Sequence, residues 1–284
     1  MTAQDRPPEG QPATATAATA TGGARDRYID IRNVSVTYGR EGAEPVEALR
    51  DISLSVPRGS FVSLVGPSGC GKSTLLKALG DLLSPTGGAI TIGDEPAAAL
   101  RRDGRIGNVF QQANLMPWLT IERNVRLMWE LKTSRSGKGG SETPDVDALL
   151  KLVGLDGFEK KRPSQLSGGM QQRAALARAL ALDPAVLLMD EPFGALDEIT
   201  RDRMGIELLK IWNEYRKTVV FVTHSLAEAV FLSDRVVLMT PRPGRIHRVF
   251  DIDLPRPRDF SIRLTDEFAH IVNEINRELY RILM

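Results

Sequence analysis

The sequence predicts an α/β fold built on a mostly parallel sheet. A short apolar run, FVSLVG at 61–66, ends in glycine, and a helical pattern, KSTLLKALGDLL, follows it at 72–83. AVLLMD at 185–190 and TVVFVTH at 218–224 are continuous apolar runs, which are typical of strands buried on both faces. Because helical patterns separate these runs, we expect a parallel sheet covered by helices.

Two further regions are predicted around this core. YIDIRNVSVTYG at 28–39 and VEALRDISLSV at 46–56 alternate apolar and polar residues, which predicts a small antiparallel sheet. Residues 111–167 carry helical patterns at 120–132 and 145–153 without a convincing strand, which indicates a helical insertion. TSRSGKGGSE at 133–142 interrupts these patterns and is predicted to be a surface loop.

The two ends of the chain differ from the rest. Residues 1–26 are low in complexity and lack large apolar side chains, so we expect a disordered tail. After PRPGR at 241–245 come a strand-like IHRVFDIDL, a polar PRPRD and an amphipathic helix. We place the main domain at 27–245 and a C-terminal extension at 246–284. The apolar face of the helix packs either on its own domain or on another subunit; it comprises Leu264, Phe268, Val272, Ile275, Leu279 and Ile282.

Composition limits the partners. The net charge of +1 implies no general attraction to nucleic acid or anionic lipid. The single cysteine, Cys70, rules out an internal disulfide and fits a reducing cytosol. No window approaches the roughly 18 apolar residues of a membrane span. A function at a membrane would therefore need a partner that crosses the bilayer.

GPSGCGKST at 66–74 fits the phosphate-binding loop, in which two glycines precede a lysine and a Ser or Thr. The glycines let backbone N–H groups turn toward a β-phosphate, and the N–H of Cys70 is expected to face it too. Lys72 adds positive charge near the β- and γ-phosphates, while the Ser73 hydroxyl can bind Mg²⁺. The loop therefore predicts the phosphates of a nucleotide, with Mg²⁺, as ligands; the residues that would bind the nucleotide, which the family resemblance below implies to be ATP, are Gly66, Pro67, Ser68, Gly69, Cys70, Gly71, Lys72, Ser73 and Thr74.

The apolar run at 185–190 ends in two carboxylates. A buried strand carries acidic residues only where a cation or ligand compensates them. Asp190 is expected to hold Mg²⁺, and Glu191 to polarise the water that attacks the γ-phosphate.

LSGGMQQR at 166–173 precedes a helical run and is similar to LSGGQ, the signature of the ATP-binding cassette (ABC) ATPases. Residues 28–240 resemble that family and carry its motifs in order. The resemblance implies that Tyr38 stacks on adenine, that Gln111 contacts Mg²⁺ and the membrane subunit, and that His224 contacts the γ-phosphate and positions Glu191. Gln112 adjoins Gln111, which we prefer because it directly follows an apolar VF.

The resemblance also implies an ATP-dependent dimer of two identical chains. In the family, each ATP lies between the phosphate loop of one subunit and the signature of the other, here Ser167, Gly168 and Gly169. Asp197, in GALD, matches the loop that crosses between subunits. Met170 replaces the glutamine of the signature, which leaves the local hydrogen bonding open.

The resemblance implies that the chain is the ATPase subunit of an importer. It would bind a separate permease peripherally at the cytoplasmic face of the membrane, and a solute-binding protein would be an indirect partner. MPWLT, the signature and PRPGRI resemble the nitrate, sulfonate, taurine and bicarbonate branch. The apolar cluster at 116–119 either grips the permease or packs in the core. Three alternatives stay open: a non-transport ABC ATPase of DNA repair or translation, an export ATPase, and an adaptor that binds ATP without useful turnover.

Overall fold

A computed structural model of the protein describes residues 27–39, 44–136, 143–194 and 196–284, so the predicted tail at 1–26 lies outside the described residues. Within them the strands are β1 (Ile29–Tyr38), β2 (Val46–Val56), β3 (Phe61–Val65), β4 (Gly87–Ile92), β5 (Glu95–Pro96), β6 (Ile106–Val109), β7 (Val186–Asp190), β8 (Thr218–Val222), β9 (Arg235–Met239) and β10 (Ile246–Asp251). The helices are α1 (Lys72–Leu79), α2 (Ala97–Arg102), α3 (Ile121–Ser136), α4 (Val146–Leu152), α5 (Gly168–Leu180), α6 (Glu198–Tyr215), α7 (Leu226–Leu232) and α8 (Asp266–Leu283). None of these helices is long and apolar enough to cross a lipid bilayer.

The larger sheet has the order β10-β9-β3-β8-β7-β6. Its strands run parallel except β10, which is antiparallel to β9. Alternate side chains of each central strand enter different cores: Phe61 and Phe221 pack with α5 to α8, whereas Leu64 and Val222 pack with α1 and the small sheet. Burial on both faces explains the continuous apolar runs, and the predicted α/β fold is confirmed.

The small sheet has the order β2-β1-β4-β5 and is antiparallel throughout. The predicted pairing of β1 with β2 is confirmed, with Ile29 opposite Val56 and Tyr38 opposite Val46. Its apolar face packs against α1, because the inward residues of β1 and β2 share a core with that helix. The last residue of β1, Tyr38, therefore lies beside the segment that opens α1.

The helices expected at 120–132 and 145–153 are present as α3 and α4, and the described residues of 111–167 contain no strand. The prediction of a surface loop at 133–142 is wrong for residues 133–136, because α3 continues to Ser136. The Thr133 hydroxyl donates to the carbonyls of Trp129 (3.0 Å) and Glu130 (3.1 Å), so this polar residue extends the helix instead of ending it. Residues 137–142 lie outside the described residues.

The C-terminal helix α8 packs on its own domain. Phe268 and Ile275 are buried, and Val272, Leu279 and Ile282 pack against the same core. Leu264 was wrongly placed on this face: it is 79% exposed and ends the 3₁₀ turn Phe260–Leu264. The helix begins later because Thr265 caps it, with its hydroxyl accepting a hydrogen bond from the Phe268 N–H at 3.2 Å.

Arg258, in the polar PRPRD stretch, fixes the extension to the core. Its buried guanidinium donates to the carbonyls of Val230, Phe231, Ser233, Ile252 and Leu254 at 2.8–3.3 Å. Burial lowers the pKa of Arg258 to about 10, so the side chain stays charged at neutral pH. The Arg258 side chain thereby links the end of α7 to the segment that follows β10.

Candidate functional site

A cleft of about 200 Å³ lies at the carboxyl ends of β3, β7 and β8. This edge of a parallel sheet is where open α/β folds bind ligands. Most of the lining residues are those expected from the sequence. They are Tyr38, Ala48, Ser68, Gly69, Gly71, Lys72, Ser73, Thr74, Glu191, His224 and Arg242.

The loop between β3 and α1 depends on glycine at its first position. Gly66 has φ +151°, and a Cβ there would lie 2.7 Å from the backbone oxygen of Met239 on the neighbouring strand. No side chain fits at that distance, so the loop leaves the sheet only with glycine in place. The Cys70 N–H, expected to face phosphate, donates instead to the Pro67 carbonyl at 3.3 Å, and its thiol is buried.

Lys72 opens α1 and points back into the loop. Its ammonium donates to the carbonyls of Gly66 (2.9 Å) and Pro67 (3.0 Å), and the residue is only 5% exposed. Neutral carbonyls satisfy these N–H groups without cancelling the charge. The ammonium can therefore exchange carbonyl oxygens for the anionic oxygens of a phosphate, which form stronger bonds.

Ser73, which lines the cleft, contacts Asp190 at the end of β7. The Ser73 hydroxyl donates to Oδ1 of Asp190 at 2.8 Å, which joins the start of α1 to the end of β7. Both are hard oxygen donors of the kind that Mg²⁺ prefers. The pairing places the two predicted metal ligands together.

Glu191 and His224 are also brought together. Oε1 of Glu191 lies 2.6 Å from Nε2 of His224, and the Glu191 side chain is more buried than the imidazole, at 18% against 48% exposed. Glu191 has φ +46°, a left-handed conformation that disfavours side chains. Such strain costs about 1–3 kcal/mol and is concentrated at functional sites.

Tyr38 is 44% exposed, with its hydroxyl 3.3 Å from Oγ1 of Thr74. An exposed ring at the rim of a cleft is free to stack on a planar ligand. The side chain of Gln111 is exposed and does not line the cleft. Its predicted contact with Mg²⁺ remains a prediction.

The signature residues lie outside this cleft. Ser167 caps α5 with its hydroxyl, which accepts from the Met170 N–H at 3.3 Å, and the helix then starts at Gly168. A Cβ at Gly168 would meet nothing within 4 Å, so this helix start is open. Open N–H groups at a helix N-terminus favour an anion.

Asp197 likewise lies outside the cleft and caps α6. Its carboxylate accepts from the Thr200 N–H at 2.9 Å, and this bond lowers the pKa of Asp197. Glu191 at the cleft and Asp197 at this helix N-terminus are therefore only six positions apart in the sequence. The role of Asp197 between subunits remains a prediction.

Helix α5 holds the segment that follows β6, a feature that the motifs did not predict. Nε2 of Gln172 donates to the Gln111 carbonyl at 2.5 Å, and Arg178 donates to the carbonyls of Ala113 and Asn114, both at 2.7 Å. The two side chains therefore link the signature helix to the Gln111 segment. Backbone carbonyls occur in every sequence, so no residue pattern marks them as the partners.

Arg242, a second feature missed from sequence, lies over the phosphate loop. Its Nη2 is 3.4 Å from the Gly69 carbonyl, and it lines the cleft. The PRPG loop approaches so closely that a Cβ at Gly244 would lie 1.9 Å from the Cys70 carbonyl. The Pro-Gly composition of 241–244 signals such a tight loop but not its position.

The chain is similar to ATP-binding proteins of transport systems. The family described as ABC transporter matches residues 49–194. The taurine import ATP-binding protein TauB of Jannaschia sp. is 44% identical over 256 residues, which cover 87% of this chain and 92% of that protein. The aliphatic sulfonates import ATP-binding protein SsuB of Bacillus cereus is 40% identical over 253 residues, 89% of this chain and 96% of that protein. A solved dimeric, post-hydrolysis ATP-binding cassette bound to ADP and Pi is 36% identical with a TM-score of 0.69, covering 80% of this chain and 100% of its own.

Proposed function

The chain belongs to the ABC transporter family, and on this premise we propose that its ATP hydrolysis drives uptake of taurine, or of a related sulfonate or small anion, through a separate permease. The observation that carries the proposal is the grouping of Lys72, Ser73, Glu191 and His224 in one cleft. The reaction is the attack of water on the γ-phosphorus of ATP, which releases ADP and phosphate.

Glu191 is the proposed general base. Its carboxylate accepts a proton from the attacking water, and the 2.6 Å contact with His224 limits its orientation. Lys72 binds the β- and γ-phosphate oxygens and offsets the charge that moves to the leaving ADP. Tyr38 stacks on the adenine at the cleft rim.

The paired oxygen atoms of Ser73 and Asp190 fit Mg²⁺. Ser73 and Asp190 offer two oxygen ligands, and Mg²⁺ in nucleotide sites is usually bound by one or two carboxylates together with phosphates. When bound, the ion would neutralise charge on the β- and γ-phosphates. Binding would replace the hydrogen bond between Ser73 and Asp190.

The active form is proposed to be a head-to-tail dimer of identical chains. Ser167, Gly168 and Gly169 lie outside the cleft of their own chain, so they remain available for the γ-phosphate held by a second copy. The dimeric state of the solved cassette described above supports this arrangement. ATP would join the two subunits, and hydrolysis would release them.

The permease is proposed to dock on the turn at 116–120. Trp118 is 67% exposed there, which favours docking over the alternative of core packing. The buried side chain of Asn124 fixes the turn, accepting from the Met116 N–H at 2.7 Å and donating to the carbonyls of Met116, Leu119 and Thr120 at 3.0–3.3 Å. A rigid turn presents its aromatic residue with little entropy left to lose on binding. This partner places the chain at the cytoplasmic face of the membrane, and a solute-binding protein would deliver the solute from the other side.

The first test is biochemical. Glu191→Gln should abolish phosphate release and stabilise a dimer with ATP and Mg²⁺, which sedimentation velocity detects. Glu198→Gln, on the exposed first turn of α6, is the matched control and should retain turnover. Wild-type turnover by Glu191→Gln would refute the role of the carboxylate.

The second test addresses transport. Affinity purification from membranes should recover a permease with the chain. Vesicles that contain this permease, with the chain and ATP inside, should accumulate radiolabelled taurine or an aliphatic sulfonate when the solute-binding protein is supplied outside. Recovery of an export permease would reverse the direction. Recovery of DNA or ribosomes without a membrane protein would contradict the transport function.

A further inference from the structure

We propose that Glu228, a carboxyl on α7 that does not touch the cleft, is a positioning residue that holds His224 against Glu191 through the hydroxyl of Thr223. The proposal rests on the proposed role of His224. It assigns a role in positioning His224 to Thr223 and Glu228, which do not line the cleft.

The carboxyl of Glu228 is buried without an obvious structural reason. The residue is 5% exposed, and burial raises its pKa, while the hydrogen bond from Thr223 and the charges of Arg201 and Arg263 act in the opposite direction. An acidic side chain in such a place is costly unless its oxygens have partners. One of its oxygens has its partner in the loop that carries His224.

That loop is fixed on both sides of His224 by one hydroxyl. Thr223 donates its hydroxyl hydrogen to Oε2 of Glu228, and the Oγ1 atom of Thr223 in turn accepts from the Ser225 N–H at 3.0 Å. Residues 223 and 225 are therefore joined around the histidine, which restricts the backbone dihedrals of residue 224. The Thr223 N–H also donates to the Leu64 carbonyl at 3.3 Å, which ties the loop to β3.

Helix α7 completes this support. Ser225 caps it by accepting from the Glu228 N–H at 3.3 Å, so Glu228 contacts the loop through both its backbone and its side chain. The imidazole of His224 is 48% exposed and contacts Glu191 at 2.6 Å. Because the ring is half exposed, the position of the loop backbone contributes to holding it at this distance from Glu191.

The same carboxyl is influenced by α6, the helix that begins after Asp197. Arg201 on α6 donates to the Leu196 carbonyl at 3.0 Å, and Arg263 pairs with Asp202 of α6 at 2.5 Å while lying 4.7 Å from the ring centre of Phe231 on α7. Within the described residues, Oε1 of Glu228 and the Nε atoms of Arg201 and Arg263 are buried without hydrogen-bond partners. The charges of the two arginines oppose, without cancelling, the rise in the pKa of Glu228 that burial causes. Arg201 and the partner of Arg263, Asp202, belong to α6, the helix that begins after Asp197.

The test compares Thr223→Val, which keeps the shape and removes the hydroxyl, with Thr223→Ser, which keeps the hydroxyl. We expect Thr223→Val to lower kcat about tenfold or more, which is part of the roughly 10²–10⁴-fold that a general acid–base contribution supplies, with the KM for ATP changed less than about twofold. Thr223→Ser should restore at least about a third of the wild-type kcat. Combined with His224→Ala, the valine change should produce no further loss of the residual turnover.

A spectroscopic readout follows the imidazole itself. The chain has three histidines, so ring ¹⁵N–¹H spectra are simple, and the signal lost in His224→Ala identifies His224. Thr223→Val should shift that signal and leave those of His247 and His270 in place. If Thr223→Val does not fold, Glu228→Met, which lacks an acceptor, should show the same effects, and Glu228→Gln, which keeps one, should not.

An unchanged His224 signal together with wild-type kcat would overturn the proposal. Equal fold-losses of kcat with and without His224 would also overturn it, since a general structural defect acts independently of the ring. Absence of ATP hydrolysis by the wild-type chain would instead contradict the proposed function. The spectra would still test the positioning of His224 in that case.

Discussion

The hydroxyl of Ser73 donates to Oδ1 of Asp190 at 2.8 Å, although 117 residues separate them. The contact forms because α1 begins where β3 ends, and β7 ends at the same edge of the sheet. Two oxygen atoms that bind each other in this way can separate to bind a cation. The hydrogen bond therefore keeps together the two oxygen atoms that we propose as ligands of Mg²⁺.

Removing the Ser73 hydroxyl should weaken the metal site more than the fold. We expect Ser73→Ala to raise the Mg²⁺ concentration needed for half-maximal ATPase activity about tenfold or more, because one ligand is lost. Titration of phosphate release with Mg²⁺ measures it. Ser84→Ala, at an exposed serine outside the cleft, is the control; the same Mg²⁺ dependence in both variants would contradict the assignment.

Arg242 should contribute to ATP binding and little to the chemical step. Its guanidinium lies over the loop that would hold the phosphates, and a half-exposed charge of this kind is worth about 1 kcal/mol or less. We expect Arg242→Ala to raise the KM for ATP about three- to fivefold with kcat unchanged within about twofold. Arg245→Ala, an exposed arginine two positions beyond the nearest proline, should behave as wild type in the same steady-state assay.

Arg178 should stabilise the fold through the Gln111 segment. Arg178→Met removes the donor of two hydrogen bonds, one to the carbonyl of the buried Ala113 and one to that of the exposed Asn114, and we expect a loss of about 1–2 kcal/mol in the free energy of unfolding. Urea denaturation measures it. Arg32→Met, at a side chain 71% exposed, should change that free energy by less than about 0.5 kcal/mol; equal losses would show that the carbonyl contacts contribute nothing specific.

The raised pKa of Glu228 predicts a pH dependence of stability. The folded state binds this proton more tightly than the unfolded state, so its contribution is complete below the unfolded pKa of about 4.5 and is lost as pH rises through the folded pKa. Arg201 and Arg263 oppose the shift and Asp202 adds to it. The stability of the wild type relative to Glu228→Gln should therefore fall as pH increases above about 4.5, which paired urea titrations test. A constant difference across that range would contradict the raised pKa.

The parts of the molecule that follow local sequence could be predicted. The glycine that follows β3, the lysine that opens α1 and the two carboxylates at the end of β7 are all set by residue types at short spacing. Lys72 and Glu191 line the cleft, and Gly66 and Asp190 contact lining residues, Lys72 and Ser73 respectively. The confirmed sheet follows from continuous apolar runs, because only strands buried on both faces need them.

The parts that depend on distant backbone atoms could not be predicted. Gln172, Arg178 and Asn124 bind carbonyls and an N–H group, and these groups are the same in every residue. Leu264 fits the apolar period of α8, but the helix begins only after its cap, Thr265, so Leu264 lies outside the helix. Periodicity alone does not report a cap that the side-chain hydroxyl provides.

Because Arg258 holds several segments together, a fragment of this chain that folds alone must include it. Two of its five carbonyl partners lie at the end of α7, one lies just before β9 and two lie after β10. Arg258 therefore joins segments that precede and follow the β9–β10 pair. A protein shortened to end after β10 would leave the carbonyls of Val230, Phe231 and Ser233 without this donor, and it would expose the core surface that α8 covers. We expect such a truncated chain to aggregate, whereas additions after the exposed Met284 should be tolerated. For protein engineering, the helix α8 and the arginine before it are therefore part of the ATPase unit, and a fusion point belongs at the C-terminal end.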